Sequence, residues 1–411
     1  MMMHIVKAFA AVVMVVVAVG SLAPPSIAQA ADWFQWRGPN RDGHSQENGL
    51  LQQWPQGGPR RLWQAAGAGD GYSSFSASQG RLYTQGARGG TEYVMAFDAA
   101  SGKKLWETAN GTRFRNEQGD GPRGTPTIDG DRLYAFGGTG ELSCLEPATG
   151  KKIWSVNVVN TFGGNVPYWG YSESPLIIGD RIVLNAGGRR ASIVAVSKND
   201  GKTLWQNHSD DAGYSSPMLL RDGNLQQVVF FTGQRALAVD PRDGRLLWSY
   251  NRASNSTANI ATPVLRGTRV FFSSAYGTGA GLVQAQPAAA TEVYFTREMR
   301  NHHSSSVLVG DTLYGFSDSI LTALNFDTGK VAWRDRSVGK GSLIYADQRL
   351  YLYSENGVVG LAEANPTGYR EHGRFSISAQ GAPTWSHPIV TRGVLILRDQ
   401  DRIFAFDIRA R

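Results

Sequence analysis

The sequence predicts an all-β fold: an eight-bladed β-propeller with tryptophan-docking repeats, its ring closed by an N-terminal strand. Three observations predict it. The first is a glycine followed four residues later by tryptophan, in Gly102 and Trp106, Gly150 and Trp154, Gly201 and Trp205, Gly244 and Trp248, and Gly329 and Trp333. The first four tryptophans stand 48, 51 and 43 residues apart, and the next gap, 85, is close to two periods. A period of about 40–50 residues in a strand-rich chain marks a propeller with one four-stranded blade per repeat. The second observation is that weaker copies fill the gaps. Tyr294 falls 46 residues after Trp248, Phe375 falls 42 after Trp333, and Trp63 precedes Trp106 by 43. The third is the remainder. Only three strand-like runs follow Phe375, at 386–390, 394–397 and 403–407. The missing fourth stands near the start, at Arg61 to Gln64, where it can pair beside Ile403 to Asp407 and remove an open edge.

Each repeat has the same internal order. A Ser/Thr-Pro or similar pair leads into the first strand, as in Thr125-Pro126, Ser174-Pro175, Ser216-Pro217, Thr262-Pro263, Ser305-Ser306 and His387-Pro388. A polar turn follows, as at Gly130-Asp131, Gly179-Asp180 and Gly310-Asp311, and then an apolar second strand, as at Arg132 to Phe136. The third strand is short and ends in Ala-x-Asp, as at Asp98, Asp240 and Asp407. In the turn that follows, Asp98, or Asp327 with Thr328, can hydrogen-bond local backbone, and glycine adopts a backbone angle that other residues resist. The docking tryptophan on the outer strand is a large plate with one N–H that needs an acceptor. No stretch of the propeller region carries a sustained helical period with caps, so almost no helix is expected.

The expected domain order is a leader at 1–30, an N-terminal segment at 31–58 that packs on the propeller, and the propeller at 59–411. Lys7, the apolar run from Ala8 to Gly20 and the small residues Ala28 and Ala30 make an export leader too short for a comfortable span. No cysteine stands near the cleavage point, so no lipid anchor and no stable membrane anchor after cleavage are expected. The protein is expected in the periplasm or secreted. The 41 Lys and Arg against 34 Asp and Glu give a formal charge of +7, one base lying in the leader. No basic run or basic helix appears, which argues against nucleic-acid binding. The single cysteine, Cys144, falls in an expected third strand and reads as a small buried residue.

Most reaction signatures are absent. No Cys-x-x-Cys, no His-Glu-x-x-His and no Gly-x-Ser-x-Gly occurs. Gly277 to Gly281 is glycine-rich but precedes no helix, and reads as a hairpin. Topology is more informative. The loops that lead into the inner strands gather on one face. The longest follow Trp106, with Arg113, Phe114, Arg115, Asp120 and Arg123, and Trp154, with Asn165, Tyr168, Trp169, Tyr171 and Glu173. Shorter ones add Tyr72, Tyr214, Asn255, Asn259, Asn301, His302, His303, Trp385 and His387. Aromatics among arginine, amide and histidine groups can form a polar pocket with stacking surfaces. The His302-His303 pair could hold a metal, but no further ligand can be assigned, and a solvated pair is the simpler reading.

The Ala-x-Asp-x-x-x-Gly-x-x-x-Trp pattern, from Ala96 to Trp106 and from Ala238 to Trp248, resembles the docking repeat of pyrroloquinoline-quinone (PQQ) propellers. The opening from Asp32 to Gly43 is similar to that of exported bacterial PQQ-like repeat proteins, with a role in packing across blades. The resemblance covers nearly the whole chain and implies the eight-bladed fold, but fold alone does not decide function. Quinoprotein alcohol dehydrogenases of this family hold PQQ with calcium through a glutamate and an asparagine. They use an aspartate base and cover the cofactor with a disulfide of adjacent cysteines. One cysteine cannot form that disulfide, no catalytic aspartate matches, and Glu173 is the one loose match to a calcium ligand. A second branch, the propeller subunit of the outer-membrane barrel assembly machinery, binds protein without a cofactor.

The favoured expectation is an exported, non-catalytic binding or assembly scaffold, with an envelope or extracellular protein as partner. The alternatives are a PQQ- and calcium-dependent alcohol or sugar dehydrogenase and a binder of a polar small molecule or saccharide. The candidate cofactor- or ligand-binding residues are Arg113, Arg123, Tyr168, Trp169, Glu173, Asn259, His302 and Trp385. No catalytic or metal residue is assigned.

Overall fold

The computed structural model describes residues 32–377 and 381–410, so the expected leader lies outside the described residues. Eight four-stranded antiparallel sheets follow one another around a ring. Blades 1 to 7 span 76–112, 127–157, 176–207, 218–250, 264–296, 307–335 and 341–376. Blade 8 combines Ile389–Thr391, Val394–Asp399 and Arg402–Asp407 with the N-terminal strand Arg60–Ala65. Arg61 pairs with Phe406, Trp63 with Ala405 and Gln64 with Phe404, with a bulge between Arg61 and Trp63. The expected closure is therefore the observed one.

Within a blade, burial follows strand position. Middle strands are apolar and covered on both faces, as at Arg81–Arg88 and Arg181–Gly188. Outer strands alternate, as at Lys104–Thr112, because one face meets the neighbouring blade and the other meets water. The core therefore lies between blades. Val183, Ile193 and Ala195 of blade 3 pack with Val228, Phe230 and Leu237 of blade 4. Cys144 is fully buried on the third strand of blade 2. Among the described residues one short helix occurs, α1 (Val158–Phe162), capped by the Asn157 side chain.

The docking motif is an interblade lock. Five plates lie against the turn glycine of the next blade, while Trp333 donates to Asn365 O in the turn of blade 7. A Cβ on Gly102 would stand 2.5 Å from the Trp63 ring, on Gly150 2.4 Å from Trp106, on Gly201 2.9 Å from Trp154, on Gly244 2.4 Å from Trp205 and on Gly329 2.5 Å from Tyr294. The polar edge of each plate donates to the same turn: Trp63 Nε1 to Ala99 O, Trp106 to Pro147 O, Trp154 to Lys198 O, Trp205 to Pro241 O and Tyr294 Oη to Phe326 O. Blade 5 lacks the turn glycine and uses a relay instead. Trp248 Nε1 donates to Gln227 Oε1, and Gln227 Nε2 donates to Gln286 O in the next turn. At the closure Phe375 takes the plate position over Gly58, where a Cβ would lie 2.6 Å from the ring.

The turn chemistry holds at Asp98, whose Oδ1 accepts from the Ser101 amide and hydroxyl. It differs at Asp327. Asn325 accepts from the Thr328 amide and hydroxyl there, and Asp327, in blade 6, pairs with Arg266 and Arg269 of blade 5. The reason is register: Asn325, four residues before Gly329, occupies the place that Asp98 holds before Gly102.

A second lock circles the channel. The Ser/Thr residues that lead into the inner strands bond from blade to blade: Ser74 N to Thr125 Oγ1, Thr125 N to Ser174 Oγ, Ser174 N to Ser216 Oγ, and Thr262 N to Ser305 Oγ. The prolines that follow four of them, Pro126, Pro175, Pro217 and Pro263, leave no N–H to satisfy at the next position.

The segment from Trp33 to Ser45 crosses the channel. Trp33 exchanges backbone hydrogen bonds with Ala77 of blade 1, and Phe34 O accepts from Ile128 N of blade 2. Arg41 donates to Ser174 O and Pro175 O, and Arg37 to Ser305 O and Ser306 O. Ser45 N donates to Tyr345 O of blade 7. Burial lowers both guanidinium pKa values, to about 10 for Arg37 and about 9 for Arg41, so both stay charged at neutral pH. A buried cation needs such a set of acceptors.

Candidate functional site

The lead-in loops gather into a cup of about 840 Å³ at the channel mouth, its open mouth included. Trp36 of the crossing segment contributes to its lining, with Nε1 donating to Thr262 Oγ1 at 2.9 Å. The Trp36 ring lies 4.5 Å from His387 of blade 8. An aromatic wall continues from Tyr72 to Trp385 at 4.9 Å and from Trp385 to His303 at 5.7 Å, stacked. It runs on from His303 to His302 at 5.9 Å and from His302 to Tyr276 at 5.2 Å. Trp169 and Tyr214, 5.5 Å apart, add a further stretch.

Four of the eight expected residues line this cup: Arg123, Trp169, His302 and Trp385. Arg123 is held by Gly121 O and Gly119 O and lies over the rings of Tyr72 and Phe114. Tyr168 stands beside the cup, 63 % exposed, with its ring edge-on to Trp169. The other three do structural work elsewhere. Arg113 pairs with Asp70 and Asp120 and pins its loop. Asn259 is fully buried, accepts from Asn255 N and donates to Thr232 O. Glu173 is buried, and both carboxylate oxygens accept from Asn185 N. Burial pushes the Glu173 carboxyl up to about 8, against the pull of that amide and of Arg41.

The histidines are not a solvated pair. Desolvation lowers the pKa of His302 to about 4, of His387 to about 3, and of His303 well below its ordinary value. All three are neutral at physiological pH. His302 Nε2 shares a hydrogen with Tyr276 Oη at 2.9 Å. Sequence spacing gave no sign that Trp36 would reach the cup, nor that the Gly277 hairpin would bring Tyr276 to it. A ring that the middle of the chain builds and the N-terminal segment crosses leaves no local signature.

PQQ with calcium makes specific demands on a donor set. The quinone is a planar tricarboxylate, and calcium takes six to eight oxygen ligands, carboxylates prominent among them. Among the described residues, no carboxylate lines the cup, and its one guanidinium, Arg123, is already bonded to two carbonyls. No group of three or more His, Cys, Asp or Glu among the described residues could hold a metal ion. These residues do not fit that cofactor.

A family model described as outer membrane protein assembly factor BamB matches residues 90–335. Outer membrane protein assembly factor BamB of Shewanella oneidensis is 25 % identical over 253 residues, 56 % of this chain and 61 % of that protein. Quinoprotein ethanol dehydrogenase of Pseudomonas aeruginosa is 26 % identical over 161 residues, 33 % of this chain and 24 % of that protein. The chain thus spans less than two thirds of these relatives. Among solved structures, BamB of Moraxella catarrhalis superposes with a TM-score of 0.64 at 15 % identity, covering 85 % of this chain and all of that one. A europium-containing methanol dehydrogenase superposes at 0.68 with 11 % identity, covering 92 % and 89 %. At these identities the superpositions show the propeller fold.

Proposed function

The chain belongs to the PQQ-like repeat family described as outer membrane protein assembly factor BamB, and on that premise we propose that it is an exported, non-catalytic binding propeller. In this reading residues 1–30 direct export and are removed, residues 31–58 cross and pack on the wheel, and 59–411 form the wheel itself. The protein works in the periplasm or outside the cell, and its partner is an envelope or extracellular protein met by the face around the cup.

The observation that carries the reading is the chemistry of that face. It presents aromatic rings, neutral imidazoles and hydroxyl groups, with no carboxylate lining the cup among the described residues. Its serines are committed to the fold: Ser216 Oγ and Ser305 Oγ accept from the amides of Ser174 and Thr262. A dehydrogenase of the related kind needs a metal cage and a base there. Tyr168, beside the cup, supplies the exposed aromatic group that protein interfaces favour.

Site-specific photo-crosslinking in the native host tests the proposal. A benzophenone side chain at position 168 is expected to give one discrete adduct, and the same group at Leu105 on the outer strand of blade 1 none. Retention of quinone absorbance through gel filtration after mixing with PQQ and calcium, with alcohol-dependent dye reduction, would replace the scaffold reading by the dehydrogenase.

A further inference from the structure

Among the described residues, five buried side-chain nitrogens of residues that line the cup have no hydrogen-bond partner: Trp169 Nε1, His302 Nδ1, both nitrogens of His303 and His387 Nδ1. His387 is only 4 % exposed. Each unmet buried polar group costs about 1–3 kcal/mol, so a cluster of them at one surface marks a place built to be occupied. Their chemistry narrows the occupant. The indole can only donate, while each neutral imidazole brings one donor and one acceptor. The occupant must therefore both donate and accept at several points. It must also carry an apolar face for the rings of Trp36, Trp169 and Trp385.

Charge narrows it further. Among the described residues no carboxylate lines the cup to receive a cation, and the one guanidinium there is bonded to carbonyls and lies over two rings, so a multiply charged anion lacks partners. A flat quinone tricarboxylate brings few donors and a charge that the cup, among its described residues, has no free cation to meet. A hydroxylated six-membered ring meets every requirement. Its hydroxyls donate and accept, its C–H face packs on indole, and it is neutral.

We propose that the cup is a binding site for a pyranose ring, free or at the end of a glycan. The inference rests on the reading of this face as a non-catalytic binding surface, but its test does not use the protein partner. A failed sugar titration beside a discrete adduct at position 168 would remove this inference and leave the scaffold standing.

The test is calorimetric and fluorimetric titration of the purified full chain with methyl glucoside, N-acetylglucosamine and β-linked glucose oligomers. Saturable binding at or below about the millimolar range is expected for at least one of them. A preference for the monosaccharides points to a free sugar, and a gain with chain length points to a glycan end. His303→Phe and Trp169→Phe, which keep an aromatic ring but remove the polar nitrogens, should each weaken binding about tenfold or more, with the unfolding midpoint close to that of the parent. Leu105→Ala should leave binding unchanged. No saturable signal with any sugar would show that the orphan nitrogens hold water only, and would overturn the proposal. Binding unchanged in both cup variants would overturn it equally.

Discussion

The Trp36 indole and the His387 imidazole lie 4.5 Å apart, inclined by 58°, within the lining of the cup. One belongs to the segment that crosses the channel, the other to the lead-in of blade 8, the blade that the N-terminal strand completes. Ring closure and the site are thus joined. The strand Arg60–Ala65 fixes the last blade, and the segment before it delivers an aromatic plate to the centre.

The docking lock makes a first prediction. Gly150 has φ +74°, and a Cβ there would meet the Trp106 ring at 2.4 Å. Gly150→Ala has to take on backbone strain and displace a packed indole, and should cost about 2–4 kcal/mol. Gly130 has a similar φ of +61° with nothing near its Cβ position. Gly130→Ala should therefore cost only about 1 kcal/mol. Urea unfolding of the two variants checks the difference, and equal midpoints would show that indole contact adds nothing.

That lock also explains what the sequence made legible. Each blade must present a glycine and a carbonyl to the plate of the blade before it, and so glycine and indole recur once per repeat at a fixed spacing. The Ser/Thr-Pro pairs were legible as strand starts, because proline is a local constraint. Their hydroxyl bonds to the next blade were not, since nothing local requires them. Glu173 shows the limit most clearly. Its position before an inner strand matched a calcium ligand in sequence, yet its carboxylate closes on the Asn185 amide. Side-chain direction at the mouth is set by neighbouring blades, and one chain's spacing does not record it. The Gln227 relay replaces a missing glycine for the same reason: its partners lie in separate turns.

Ring closure makes a second prediction. Without Arg60–Ala65 the strand Arg402–Asp407 becomes an open edge, and open edges recruit other chains. A chain that begins at residue 66 should form dimers or larger species on size exclusion, whereas one that begins at residue 32 should stay monodisperse. A monodisperse, cooperatively folded short form would show that blade 8 stands on three strands.

Glu92 makes a third prediction, on pH. It is fully buried and accepts from Phe114 N and Gly138 N, tying down the loop that carries Arg123. Burial raises its pKa from 4.5 to about 7, and these amides only partly oppose the rise. The folded protein therefore binds more protons than the unfolded chain between those values. The stability that Glu92 contributes is complete below about pH 4.5 and is lost as the pH rises through about 7. The loss is on the order of 1–3 kcal/mol. Glu92→Gln should flatten this decline in denaturation curves taken from pH 5 to 8. An unchanged slope would place the titrating group elsewhere.

The contacts of Trp36 give the last prediction. Its ring packs on His387, and its N–H reaches Thr262 on the far side of the ring of blades. Trp36→Phe keeps most of the stack and leaves the Thr262 hydroxyl without its donor. Thr262→Val removes the acceptor and leaves the indole N–H unmet. Each should cost about 1–2 kcal/mol, and the double variant should cost about 1 kcal/mol less than their sum, because neither partner is then stranded. Trp36→Ala should cost more, about 2–4 kcal/mol, since the aromatic plate itself is lost. Thermal or urea unfolding of the cycle measures the coupling. Strict additivity would mean that the hydrogen bond across the channel does not stabilise the wheel, and that Trp36 is held by its packing on His387 alone.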